Sequence, residues 1–140
     1  MAEIIGAERV TEIYGTWPAF HDAEVLRVRL DHDGAQGASL EADIHVFRMT
    51  SEVDAKGFFG QRDHYVVTLR FAGLTGLDLV GFEAQNVISW LDMEEATDPD
   101  EPAVAWHVRF GSSFGMGAEF RCAAVSVAGV EPFDAAQTRD

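Results

Sequence analysis

The sequence predicts an α+β fold: a predominantly antiparallel β-sheet of about seven strands, run as a meander, with a short helix at the N-terminal end. Three observations lead there. Apolar residues near the N-terminus recur at helical spacing, and those beyond residue 26 recur at every second position. Successive alternating segments can also be laid side by side so that apolar residues oppose apolar ones while arginines oppose acids.

Ile4, Ala7, Val10, Ile13 and Tyr14 mark the helix, and Gly15 followed by Pro18 marks its end. Gly6 weakens its first turn. From Ala23 the period becomes two, with Leu26, Val28 and Leu30 alternating with Arg27 and Arg29. "SLEADIHVFRM" continues the pattern after the turn residues of "HDGAQGA". One register satisfies both strands: Leu30 faces Leu40, Val28 faces Ala42 and Leu26 faces Ile44, while Arg29 faces Glu41 and Arg27 faces Asp43. A slip by one residue would destroy the apolar and the charged matches together.

A second hairpin, turning at "DAKG" (residues 54–57), sets Val46 against Tyr65, Ile44 against Val67, Ala42 against Leu69, Arg48 against Asp63 and Glu41 against Arg70. A third, turning at "AGLTG", sets Phe71 against Leu77, Leu69 against Leu79 and Arg70 against Asp78, which completes a run of consecutive antiparallel strands. "NVISWLDMEE" reads as a further strand of undecided register. Val104, Trp106, Val108 and Phe110 alternate, "GSSFGMG" turns, and residues 119–127 return with Arg109 opposite Glu119. The chain, residues 1–140, is expected to form one domain with a frayed tail from about residue 134.

Charge narrows the partners. The 24 acids against 10 bases give a formal net charge of −14, so nucleic acid and anionic membrane would both repel the chain, whereas a basic protein would be drawn to it. No segment is long and apolar enough to span a bilayer. The lone Cys122 and the lack of a basic-then-apolar leader point to a reducing, cytoplasmic setting. The oligomeric state is not legible.

The residues that could carry chemistry are few. "FHDAE" brings His21, Asp22 and Glu24 together, but the core phase must break near Val25 and Leu26, and a β-bulge there would turn His21, Ala23 and Val25 inward and leave Asp22 and Glu24 outside. On that reading His21 is a core or half-buried histidine and Asp22 satisfies turn amides. The second hairpin makes His45 and His64 diagonal neighbours at roughly 7 Å, with Asp43 near enough to add a carboxylate. There is no CxxC, HExxH or GxSxG pattern. "GMGAEF" reads as a hairpin turn, Cys122 sits at a core-phase position, and Trp17, Trp90 and Trp106 read as core. The sequence therefore assigns no catalytic residue, cofactor or metal. A small metal-dependent enzyme, or a small-molecule binding module, using His21 with Asp22 and His45 with His64 stays open as the alternative.

The segments "YGTWPAFHDAEV", "VFRMTSEVDAKGFF", "VTLRF" and "LVGFEAQNVI" together resemble the bacterial immunity protein 50 family, over residues 14–127. The most specific part is Trp17, Pro18, Phe20, His21, Asp22, Ala23 and Glu24. The resemblance implies a cytoplasmic immunity protein of a polymorphic toxin system that binds and blocks a cognate toxin domain. A nuclease with a basic active-site surface is one such toxin, and an acidic inhibitor could occupy it as a nucleic-acid mimic. The resemblance carries over no contact residues, and the signature itself serves either the fold or the partner. Charge places the expected contact in the loop at residues 94–101, where Glu94, Glu95, Asp98, Asp100 and Glu101 crowd between proline-restricted turns.

Overall fold

The computed structural model describes residues 3–32, 37–53 and 59–133. Residues 33–36 of the turn expected at 32–38, the turn expected at 54–57 and the tail from 134 lie outside them. The elements run β1 (Ile4–Ile5), α1 (Glu8–Tyr14), β2 (Glu24–His32), β3 (Ala38–Val53), β4 (Phe59–Ala72), β5 (Thr75–Val80), β6 (Val87–Glu95), β7 (Trp106–Phe114), β8 (Gly117–Cys122) and β9 (Ala124–Pro132). They make one nine-stranded sheet in the order β1-β9-β4-β3-β2-β6-β7-β8-β5. Nine strands replace the expected seven or so. The sheet is also mixed, because β1 runs parallel to β9. Ile4, read as the start of the helix, belongs to β1, and Gly6 at φ +81° breaks the chain between strand and helix.

The first hairpin keeps its register, with Leu30 opposite Leu40, Val28 opposite Ala42, Arg29 opposite Glu41 and Arg27 opposite Asp43. The bulge falls between Val25 and Arg27, so Val25 and not Leu26 meets Ile44. In the second hairpin Val46 meets Tyr65, Ile44 meets Val67 and Ala42 meets Leu69. A second bulge beyond Val46 sets Arg48 opposite Arg62, yet Arg48 still reaches the Asp63 carboxylate at 3.1 Å.

The third hairpin does not form. β9 occupies the free edge of β4, with Phe71 opposite Val125 and Leu69 opposite Val127, and β5 lies at the far side of the sheet against β8. The chain leaves β4 at Gly73, where φ is +68° and a β-carbon would lie 2.7 Å from that of Ala123. Ala123 N–H donates to Ala72 O at the same corner. Valines on β9 match the apolar face of β4 as well as the leucines of β5 do, so alternation alone could not choose between them.

Phe71 on β4 makes edge contacts with Phe110 on β7 and Phe120 on β8, at centroid separations of 6.1 and 5.0 Å. Those strands are not neighbours in the sheet, so its two halves fold face to face with the core between them. Helix α1 ends at Gly15 (φ +81°), whose N–H donates to Thr11 O. It is held on the sheet by buried Val10, by the Arg48 guanidinium donating to Ile13 O at 2.8 Å, and by the Tyr14 hydroxyl donating to Asp63 O at 2.7 Å. Burial, with the Asp63 carboxylate nearby, pushes the Tyr14 pKa up to about 12.

Candidate partner-binding surface

The signature segment lies where the two halves of the sheet join. β2 and β6 share only the pair Glu24 and Val87, and the residues before Glu24 continue the contact as a loop. Asp22 N–H donates to Ile88 O at 3.0 Å, Ile88 N–H to Ala23 O at 2.9 Å, and Leu91 N–H to Ala19 O at 3.3 Å. The loop therefore satisfies the backbone groups that β6 would otherwise leave open. Its path needs left-handed backbone at Phe20 (φ 61°) and Asp22 (φ 62°). Such a conformation is unfavourable for a bulky aromatic residue and is held here by the burial of Phe20 and its edge contact with Trp17 at 5.6 Å.

This geometry corrects the reading of His21. Its side chain is 70% exposed and its Nδ1 stands 3.3 Å from the Asp22 carboxylate. The expected bulge is present, and Ala23 and Val25 do turn inward, but the left-handed residues on either side of His21 end the strand alternation before it reaches that position. Asp22, expected to satisfy turn amides, instead donates its N–H to Ile88 O on β6 and turns its carboxylate toward His21, and Glu24 stands opposite His45 on β3.

His45 and His64 do meet, with Nε2 of the former 2.8 Å from Nδ1 of the latter. The His45 ring stacks on Phe133 at 3.7 Å, and burial, reinforced by His64, lowers its pKa. Asp43 is engaged elsewhere, accepting from Thr68 Oγ1 at 2.8 Å and facing Arg27 at 3.8 Å. Among the described residues no group of three or more potential ligands could hold a metal ion. Burial pushes the Cys122 thiol up to about 12.

The outer face of β6, β7, β8 and β5 is differently built. Asp92 faces Arg109, which faces Glu119, which faces Asp78 across the strands. Arg109 lies 3.6 Å from Asp92 and 3.8 Å from Glu94, and His107 lies 2.6 Å from Glu119. Glu94 and Glu95, which the sequence placed both at the end of a strand and at the start of the acidic loop, are the last two residues of β6. The loop beyond is closed by Ala96 N–H donating to Ala105 O, and inside it Asp98 accepts from the N–H groups of Asp100 and Glu101. Asp98, Asp100 and Glu101 are exposed.

Residues 6–133 match the family model described as Immunity protein 50. The chain belongs to the immunity protein 50 family. No curated protein and no solved structure matches it at a significant level. No described helix is long and apolar enough to cross a membrane.

In this immunity protein 50 fold, sequence reasoning missed two features of the β6 to β8 region. Trp90, read as core, is 45% exposed on the outer face, directly opposite Gly111. Asn86, 3% exposed, joins the loop before β6 to the β7–β8 hairpin by accepting from Glu83 N–H and Met116 N–H and donating to Glu83 O. Neither had a signal without the pairing of β6 with β7, which the sequence left undecided.

Proposed function

We propose that this immunity protein 50 family member binds a cognate toxin domain and blocks it, and that the carboxylates at the end of β6 and in the following loop, Glu94, Glu95, Asp98, Asp100 and Glu101, draw a basic toxin surface to it. The observation that carries this reading is the state of that loop. Asp98, Asp100 and Glu101 project into solvent from a turn closed by its own backbone bonds, and among the described residues no ion pair neutralises them. With a formal net charge of −14, the chain as a whole adds to the same field. A nuclease with a cationic active-site surface fits such a field, and the chain acts in the reducing cytoplasm, where its single cysteine stays a thiol.

The test uses the toxin encoded beside this gene. Neutralising Asp98, Asp100 and Glu101 together with Asn, Asn and Gln should slow association by roughly tenfold at low salt and flatten its salt dependence. The melting temperature should hardly move, because these side chains lie outside the core. An unchanged rate with an unchanged salt slope would shift the contact away from this loop, with Asp22 and Glu24 the next residues to examine.

A further inference from the structure

Trp90 is exposed, yet its ring packs on the neighbouring strand. Its indole lies flat over Gly111 on the neighbouring strand, and a β-carbon on that glycine would sit 2.6 Å from Cζ2 and 2.7 Å from Cδ2. The missing side chain is the seat of the ring. Open hollows flank it: one of about 210 Å³ lies toward Val80, Gly117 and Ala118, and another of about 260 Å³ lies toward Ala19 and Leu91. Phe82, Val80 and Phe114 expose further apolar surface. Gly81 and Gly115 approach each other closely, a β-carbon on Gly81 falling 2.8 Å from Gly115 O, so their chain neighbours Phe82 and Phe114 stand at the same end of the sheet.

We propose that the ridge formed by Trp90 on Gly111, with the hollows beside it, is the anchor onto which the cognate toxin docks a protruding apolar side chain framed by lysine or arginine. The proposal rests on the function proposed above and names the place where it acts. Each hollow is smaller than a typical small-molecule pocket and open to solvent, which suits one side chain of a protein and not a whole ligand. A tryptophan already seated loses little conformational freedom on binding, and tryptophan is among the residues enriched at interface hot spots. The surround has the sign that a basic partner needs. Asp78, Asp92, Glu94 and Glu119 outnumber Arg109 and Arg121 on this face, and Arg109 is already held between acids. Trp90, Asp92 and Glu94 alternate along one face of β6, so the anchor runs continuously into the acidic loop.

The experiment measures the affinity of the full chain for the adjacent-gene toxin. Trp90→Ala should weaken binding at least about 30-fold, mostly through faster dissociation. Because this change also uncovers Gly111, Val80→Lys serves as an independent variant: Val80 is exposed on the edge strand, and a cation there should repel a basic partner and weaken binding about tenfold without lowering stability. Leu30→Ala, an exposed apolar site on the other half of the sheet, should leave binding unchanged. If the wild-type chain binds and both Trp90→Ala and Val80→Lys bind within twofold of it, the anchor is wrong while the proposed function stands. If the wild-type chain does not bind, the proposed function falls and takes the anchor with it.

Discussion

Replacing Asn86 with alanine should destabilise the native state by about 2–3 kcal/mol, and the three hydrogen bonds of its amide contribute unequally to that figure. Met116 is 1% exposed, so removing Oδ1 leaves its N–H with no acceptor and no access to water. That loss alone is worth ~1–3 kcal/mol. Glu83 is exposed, and its peptide N–H and C=O, now bonded at 2.9 and 2.8 Å, can turn to solvent and recover most of what they lose. The side chain also fills space against Gly115, where a β-carbon would stand 2.5 Å from Oδ1, and alanine leaves that space partly empty. For a chain of this length the effect corresponds to a fall in melting temperature of roughly 6–9 °C. Urea unfolding gives the stability directly, with Glu83→Ala as a control because the backbone atoms supply the bonds and its side chain lies outside. A change under about 0.5 kcal/mol at unchanged m value would refute the reasoning, since it would mean that Met116 N–H finds another partner at no loss.

Two further outcomes follow from buried polar groups. The hydroxyl of Ser39 is buried and has no hydrogen-bond partner among the described residues, so Ser39→Ala should leave stability unchanged or raise it by up to ~1 kcal/mol; a clear loss in urea unfolding would show that the hydroxyl is bonded. The folded state lowers the pKa of His45, so it favours the neutral ring, and the stability this contributes is present above the unfolded value of about 6.5 and is lost as pH falls through the lower folded value. His45→Phe keeps a ring against Phe133 and should flatten the fall in stability between about pH 7 and pH 5, a window above most carboxylate titration; parallel curves for variant and wild type would remove His45 as the cause.

What was legible in the sequence was whatever depended on neighbouring strands with distinctive pairs. Arg27 with Asp43 and Arg29 with Glu41 could be matched because a charge pair and an apolar pair had to agree in one register, and both are observed. The placement of β5 was not legible, for the opposite reason. Leu77 and Leu79 offered β4 the same apolar face as Val125 and Val127, and the corner at which the chain leaves β4, where Gly73 packs against Ala123, is a long-range contact that no periodicity reports. The parallel strand β1 escaped notice because a two-residue strand has no period.

The site divides in the same way. The signature around Trp17, Phe20 and Asp22 was easy to see, but its place was not: it forms the loop that stands in for a strand beside β6, with left-handed backbone at Phe20 and Asp22. Those hydrogen bonds belong to the fold. Trp90 is the reverse case. Its exposure depends on the register that puts it over Gly111, and on bulges that shift β6 between Val87 and Trp90 and so turn Trp90 outward and Leu91 inward. Read without those bulges, a tryptophan in an apolar strand belongs to the core. Trp90, Asp92 and Glu94 do alternate along β6, but only the folded sheet decides which face they share and brings Gly111 and the acids around Arg109 onto it.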